Sequence, residues 1–231
     1  MKILILHNCY KQPGGEDGTV QRESILLRTA GHHVTTYVRH NRDINEGSLF
    51  SKIETGSKAI WARDSYREVA ALLDSEKPDL AHFHNTFHLI SQSAYYACRD
   101  ANVPVVQTLH NYRLFCAPGI FYRNGAICEE CVQHSLFRGV LHGCYRDSRA
   151  QSAAVALTLA VQEKLQTWTR IVDCYIAPTN FVRKTFVSAG LPADKVLVKP
   201  NFVDPDPGER RNAGEYAIFA GRLTAERDCE L

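Results

Sequence analysis

Four cysteines fall in one stretch of the chain, and their spacing is suited to metal binding. Cys128 and Cys131 form a C-x2-C knuckle, and Cys116 and Cys144 flank it. Two thiolates at this spacing can turn to one tetrahedral zinc ion, although a full zinc ribbon has two such knuckles. Buried free thiols and, in an oxidising setting, a disulfide are the alternatives. A bound zinc would be structural, because a long loop without secondary structure needs something to hold it.

Three glycines lie between an apolar run and an amphipathic segment: Gly14, Gly15 and Gly18. Glycine lets the backbone approach a ligand, and free N–H groups at a helix start favour anions, so one interpretation is a phosphate or sugar cradle. The other is a tight turn between a strand and a helix. The order matches neither the dinucleotide-binding fingerprint nor the P-loop, which argues against hydride transfer and against nucleoside triphosphate hydrolysis.

Histidines follow two of the apolar runs. His110 comes directly after "VPVVQTL", where a strand end would point it at a ligand, although a histidine satisfied by a backbone carbonyl is the alternative. His82, His84 and His88 crowd the end of the preceding run. At a spacing of two, His82 and His84 share one face of a strand, and we interpret them as a polar rim rather than as metal ligands.

The elements that position these residues alternate between strand-like and helix-like patterns along the chain. Short apolar or β-branched runs such as "KILILH" and "VPVVQTL" predict buried strands, and amphipathic segments between them predict helices. This alternation predicts an α/β fold with a parallel sheet. Residues 111–147 break the rhythm and are predicted to form an irregular, Cys-rich insert.

A polar stretch rich in Pro and Gly, residues 204–215, predicts a linker after a domain that covers residues 1–203. The strand-like run "YAIFAGR" follows, so residues 216–231 are expected to be the first strand and loop of a second domain. Because a lone strand cannot bury its apolar face, we expect this last segment to be poorly ordered or to dock on the first domain.

Composition is that of an ordinary globular protein. Hydrophobic residues make up 45%, and 27 Lys and Arg stand against 25 Asp and Glu. This balance does not indicate nucleic-acid binding, and we expect no such partner. The most apolar helical stretch, residues 153–161, is too short to cross a bilayer. No secretory signal is visible, so we expect a cytoplasmic protein, with membrane contact limited to the surface.

Several segments, taken together and in order, resemble glycosyltransferase family 4. They include "KILILHNCYKQPGGEDGTV", "DLAHFHNTFHLIS", "VPVVQTLHNYRLFC" and "FAGRL", and the similarity runs from the first residue to about residue 226. The resemblance implies the N-terminal half of a GT-B fold, a Rossmann-like parallel sheet with helices on both faces. The insert resembles that of a subset with similarly spaced cysteines. The resemblance also implies retention of anomeric configuration and chemistry that requires no metal.

Matching positions imply roles for individual residues. Gly14 and Gly15 would face the donor diphosphate and sugar, His110 would contact the donor sugar at the reacting centre, and Arg222 would bind the diphosphate. Arg227 stands where the family usually has a lysine and would substitute for it in part. Six further residues are expected to contact the acceptor or to form the domain hinge: Glu16, His84, Asn85, Asn111, Asn201 and Asp204.

The resemblance implies transfer of a sugar from a UDP- or GDP-sugar to a saccharide or lipid-linked acceptor, in surface polysaccharide biosynthesis. The family's nucleoside pocket belongs to a C-terminal domain of which the sequence carries only the first segment. We therefore expect a truncated transferase without appreciable activity alone. The alternative is a non-catalytic domain, stabilised by zinc, that binds a carbohydrate or a protein.

Overall fold

The computed structural model describes residues 1–12, 14–44 and 56–208. In these ranges the strands are Lys2–Cys9 (β1), His33–His40 (β2), Leu80–Asn85 (β3), Val105–Thr108 (β4), Tyr122–Arg123 (β5), Ala126–Ile127 (β6), Cys174–Ala177 (β7) and Val196–Val198 (β8). The α-helices with both ends in these ranges are Gly15–Thr29 (α1), Arg63–Glu76 (α2), Ser93–Asp100 (α3), Glu130–Gln133 (α4), Phe137–Leu141 (α5), Arg149–Lys164 (α6) and Asn180–Ser188 (α7).

Six strands form one parallel sheet in the order β2-β1-β3-β4-β7-β8. The chain moves from β1 outward to β2, then returns to place β3 on the other side of β1. The direction of winding therefore reverses between β1 and β3. In open sheets of this kind, ligands bind outside the carboxyl ends of the strands at that reversal. This topology confirms the predicted Rossmann-like α/β fold and marks where a site is expected.

The central strand β1 is buried on both faces. Leu4 and Leu6 belong to the larger apolar cluster, whereas Ile3 and Ile5 belong to a smaller one that includes Val20 of α1. Side chains alternate between the two faces of a strand, so an unbroken apolar run needs helices on both faces. In the described residues α1 covers one face, while α2 and α3 contribute to the cluster on the other.

The insert is more regular than the sequence predicted. β5 and β6 form an antiparallel hairpin, and α4 and α5 follow it. The two hairpin strands are joined by Asn124 and Gly125, with φ values of 52° and 79°. A two-residue Asn-Gly loop is a strong hairpin signal, because both central positions of this turn need positive φ. The insert therefore contains short regular elements that its sequence pattern did not predict.

The strand β8 lies at one edge of the sheet and is followed by residues 199–208, which form no helix or strand. The rest of the predicted linker, and all of residues 216–231, lie outside the described residues. Within the described residues, no helix is both long and apolar enough to cross a membrane.

Candidate functional site

The ends of β1, β3 and β4 bring three of the predicted segments together. His84 lies in β3 and His110 two residues beyond β4, and His84 Nδ1 is 2.9 Å from His110 Nε2. Their rings stack with centroids 5.2 Å apart. From the loop after β1, the Tyr10 hydroxyl accepts a hydrogen bond from Asn111 Nδ2 at 3.3 Å. The three segments therefore converge at the carboxyl edge of the sheet.

Both stacked histidines are uncharged near neutral pH. Burial, followed by the nearby His7 and His82, lowers the pKa of His110 to about 4. Burial, together with the neighbouring His82 and His110, holds the pKa of His84 well below its ordinary value. A neutral imidazole can donate one hydrogen bond and accept another, which suits contact with sugar hydroxyls.

A further buried histidine, His7 near the end of β1, was not singled out from the sequence. Its Nε2 lies 2.8 Å from Asp17 Oδ1 in the first turn of α1. The other carboxylate oxygen of Asp17 accepts a hydrogen bond from Gly14 N at 2.6 Å. Burial works against ionisation of Asp17, but the hydrogen bonds from Gly14 and His7 outweigh it and lower the pKa of Asp17. This pair fastens the start of α1 to β1.

Gly14 and Gly15, at the start of α1, do not have the positive φ angles that would require glycine. Gly14 has an extended conformation with φ −127°, and Gly15, the first residue of α1, is not among the residues with positive φ. A Cβ on Gly15 would meet no atom within 4 Å. The tight-turn interpretation predicts a conformation that favours glycine, and these two residues do not adopt one. Gly14 is the N-cap of α1, a position where glycine is also favoured, so the ligand cradle stays a prediction.

The acidic residues of this loop set a limit on anion binding. Asp17 already neutralises part of the positive end of α1, and Glu16 is half-buried beside it. Burial is the main cause that raises the pKa of Tyr10 to about 12, and a hydrogen bond to Glu16 adds to it. A diphosphate at this helix start would consequently need cationic groups from elsewhere.

Two predicted site residues, Asn85 and Asn111, use their side chains to shape the loops. Asn85 Nδ2 donates to the backbone oxygen of Asn8, and its Oδ1 accepts from Phe87 N at 3.1 Å. Asn111 Oδ1 accepts from Arg113 N at 3.0 Å. These bonds hold the loops after β3 and β4 in fixed shapes, with His84 and His110 between them.

Arg113 fastens the insert to this edge of the sheet. Its guanidinium lies over the Phe87 ring, 4.4 Å from the centroid. It also donates to the backbone oxygens of Ala117 and Pro118 at 2.8 and 3.3 Å. Nearby, His88 Nε2 lies 2.9 Å from the hydroxyl of Tyr145, near the end of the insert. The insert is therefore part of the wall of the candidate site.

The four insert cysteines are free thiols, with Cys116 buried and Cys128, Cys131 and Cys144 half-buried. Burial, assisted by the other three cysteines, raises the pKa of Cys131 to about 11. In the described part of the chain, two groups of three donor side chains converge to within 4.8 Å, and neither includes an insert cysteine. Zinc binding at these thiols remains a prediction.

The interpretation of His82 and His84 as a polar rim was wrong, because both are buried, with 4% and 3% of their surface exposed. Glu23 of α1 lies over them and closes that face of the sheet. Among the other predicted residues, Asn201 and Asp204 are exposed beyond β8, and Arg222 and Arg227 lie outside the described residues.

A recess beside His110 is lined by His84, Asn85, Asn111 and Arg113, among others. It encloses about 50 Å³, whereas pockets for small molecules typically have ~300–1,000 Å³. This recess is therefore too small to enclose a nucleotide sugar.

Solved structures with similar folds are low in sequence identity. UDP-N-acetylglucosamine 2-epimerase from Rickettsia bellii has a TM-score of 0.44 and 13% identity, over 87% of this chain and 45% of the epimerase. Anabaena HepE in complex with UDP has a TM-score of 0.41 and 18% identity, over 88% and 45%. The lipopolysaccharide outer core galactosyltransferase WaaB has a TM-score of 0.44 and 10% identity, over 92% and 50%. The chain thus spans about half the length of these proteins.

No curated protein gives a significant match to this sequence. A protein family does: Glycosyltransferase Family 4 matches residues 14–207, which include α1, the two stacked histidines and the whole insert. The match covers most of the chain and contains every strand of the sheet after β1. The chain belongs to Glycosyltransferase Family 4.

Proposed function

We propose that this chain is the acceptor-side domain of a retaining glycosyltransferase. The reaction transfers a sugar from a UDP- or GDP-sugar to a saccharide or lipid-linked acceptor, in surface polysaccharide biosynthesis. The observation that supports this most strongly is the His84–His110 pair at the carboxyl edge of the sheet, in a chain that belongs to this family. His84 Nδ1 and His110 Nε2 are 2.9 Å apart there. We place the enzyme in the cytoplasm, with peripheral membrane contact where a lipid-linked acceptor lies.

In this proposal His110 binds the donor sugar as a neutral hydrogen-bonding group. Its contact with His84 fixes the ring, so that the group does not have to be oriented during the reaction. The leaving diphosphate needs positive charge, and Arg222 and Arg227 are the proposed source because Asp17 and Glu16 make the start of α1 acidic. The chemistry itself requires no metal.

The 50 Å³ recess supports a division of labour between two domains. One wall comes from this chain, and a nucleotide-binding domain supplies the other. We propose that residues 1–231 alone do not transfer sugar, because the diphosphate and nucleoside contacts belong to that second domain.

The first experiment compares this chain with a version completed by a family C-terminal domain. Binding of UDP and GDP is measured by calorimetry, and sugar transfer is measured by release of the nucleotide. We expect binding and transfer only in the completed protein. If the short chain binds a glycan or a protein tightly and completion adds nothing, the domain is a non-catalytic binding module and the role given to His110 is wrong.

We also propose a structural zinc at Cys116, Cys128, Cys131 and Cys144. Support comes from the knuckle spacing and from the electrostatic proximity of the four thiols. Zinc would stabilise the thiolates and hold the insert that Arg113 fastens to the site. Metal content of the purified protein tests this: we expect the paired change C128S/C131S to remove one zinc per chain. Equal zinc content in both proteins contradicts it.

A further inference from the structure

Glu23, His82 and His84 form a buried cluster beneath the candidate site. Their side chains have 9%, 6% and 0% of their surface exposed. His82 Nδ1 lies 3.6 Å from Glu23 Oε1, and His84 Nε2 lies 3.7 Å from Glu23 Oε2. One donor atom from each of the three residues lies within 4.8 Å of the other two. Two imidazoles and one carboxylate are thus directed at one point.

These distances between Glu23 and the two histidines distinguish a direct hydrogen bond from a bridging water and from a bridging metal ion. A direct hydrogen bond would bring nitrogen and oxygen to ~2.7–3.2 Å, so both contacts are too long. A water bridging two groups at ~2.8 Å would hold them ~4.6 Å apart. Two ligands of one tetrahedral ion, at ~2.0–2.1 Å from it, lie ~3.3 Å apart. The observed 3.6 and 3.7 Å are closest to the metal-bridged distance.

The second converging group in the described residues provides a contrast. In that group of His7, Cys9 and Asp17, His7 Nε2 is already hydrogen-bonded to Asp17 Oδ1 at 2.8 Å. In the Glu23 cluster, His84 Nε2 is fully buried without a hydrogen-bond partner. A buried polar nitrogen in this state is costly unless something else occupies its lone pair or its proton.

The remaining ring nitrogens are already hydrogen-bonded. His82 Nε2 lies 2.8 Å from Thr108 Oγ1, and His84 Nδ1 lies 2.9 Å from His110 Nε2. Histidines that bind metals characteristically use the second ring nitrogen in this way, which fixes the tautomer and the orientation of the ring. Both histidines therefore present one nitrogen to Glu23 and anchor the other.

We propose that Glu23, His82 and His84 bind a divalent first-row transition-metal ion. Two imidazole nitrogens and one carboxylate form a donor set that suits Zn²⁺, Co²⁺ or Fe²⁺. The site is separate from the insert cysteines, and it shares His84 with the stacked pair of the candidate site. It joins α1 to β3 beneath the stacked histidines.

Lys199 is the competitor for this site. Its Nζ lies 3.1 Å from Glu23 Oε1, and its side chain is 48% exposed. The ammonium balances the buried carboxylate in the metal-free protein, and its exposed stem lets it withdraw when a cation binds. Removal of the Lys199 charge should therefore strengthen metal binding.

Metal binding would also fix the proton on the pair above it. When Nε2 of His84 is a ligand, its proton resides on Nδ1 and is donated to Nε2 of His110. His110 then carries its own proton on Nδ1. This consequence bears on the role proposed for His110, but the metal site does not depend on that role.

The test measures Co²⁺ and Zn²⁺ binding to the whole 231-residue chain carrying C128S/C131S, which excludes the knuckle thiols. We expect one Co²⁺ per chain. Its visible absorption should be that of an ion with a low coordination number, without a sulfur charge-transfer band. Glu23→Gln should raise the dissociation constant for Co²⁺ at least 100-fold. Thr108→Val keeps all three ligands and should raise it 10- to 100-fold. Lys199→Gln should lower the dissociation constant about tenfold, because the substitution removes a nearby positive charge.

Circular dichroism first confirms that each variant is folded, and Thr108→Val supports the test if Glu23→Gln does not fold. The proposal is overturned if the parent binds no Co²⁺ at micromolar concentrations. It is also overturned if Glu23→Gln and Thr108→Val bind as the parent does. Failure of sugar transfer in the completed protein would leave this result unchanged, so the two proposals are tested separately.

Discussion

His110 is packed among other histidines, and its protonation should be linked to stability. The groups that face it are His84, His7 and His82, with Asp17 and Lys199 nearby. Its pKa is lowered in the folded protein from the ordinary value of 6.5 to about 4. Between these values the unfolded chain binds more protons than the folded one, so stability falls as the pH falls.

This gives a prediction for acid unfolding. At 1.36 kcal/mol per pKa unit, the full contribution of His110 is about 3 kcal/mol, of which about 2 kcal/mol is lost between pH 7 and pH 5. Urea unfolding at the two pH values measures it. H110N should reduce the loss by about that amount. The control H33Q changes an exposed histidine at the start of β2 and should keep the parental loss. Equal losses in H110N and the parent would contradict the assignment.

The glycine loop gives a second prediction at the same scale. Gly15→Ala should leave the free energy of unfolding unchanged or raise it by up to ~1 kcal/mol, because the site has helical backbone and open space. In the completed enzyme the same change should raise KM for the donor. Gly31→Ala is the matched control: its φ of +83° should cost ~1–2 kcal/mol without affecting KM. An unchanged donor KM in Gly15→Ala would remove the cradle interpretation.

The roles of single residues were only partly predictable. His84, His110 and Asn111 could be found because each lies at or just beyond a strand end, where an open parallel sheet binds ligands. Glu23 could not be found in this way. An acidic residue in an amphipathic helix is ordinarily exposed, and only the packing of α1 over His82 and His84 buries it.

At the level of elements, the insert and the loop after β3 behave as one unit through Arg113. We predict that Arg113→Lys loosens the insert. A lysine cannot make both carbonyl bonds and stack on Phe87, so the free energy of unfolding should fall by ~1–2 kcal/mol. Hydrogen exchange should quicken around residues 116–123. Arg138→Lys, an exposed change in the same insert, is the control and should alter neither quantity.

The hairpin within the insert was not predicted, although its turn dipeptide is present in the sequence. Asn124-Gly125 is a strong turn dipeptide, but its flanking strands have only two residues each. Strands of that length carry no readable alternation, so the segment was interpreted as irregular. The first strand had the opposite property: β1 could be predicted from its long apolar run, which the structure buries on both faces.

At the scale of the molecule, the order of strands is what creates the site. Alternating strand and helix patterns predicted a parallel sheet, but not the position of the reversal between β1 and β3. That position depends on which side of β1 the chain returns to, which the local pattern does not encode. Once it is known, the meeting of His7, His84 and His110 follows from the topology.

The edge strand β8 has a consequence for self-association. An unpaired strand edge can recruit a strand from another molecule. Among the described residues no strand pairs with the outer edge of β8, whose Leu197 and Val198 are 58% and 38% exposed. Its length of three residues, the charge of Lys199 and the missing N–H of Pro200 all oppose such recruitment.

The paired change K199V/P200V would lengthen this apolar edge and should produce aggregates, detected by light scattering at concentrations where the parent stays monodisperse. K199R/P200V retains the charge and should aggregate less. Lys199 would then have two roles: its charge opposes aggregation, and it balances the buried carboxylate of Glu23.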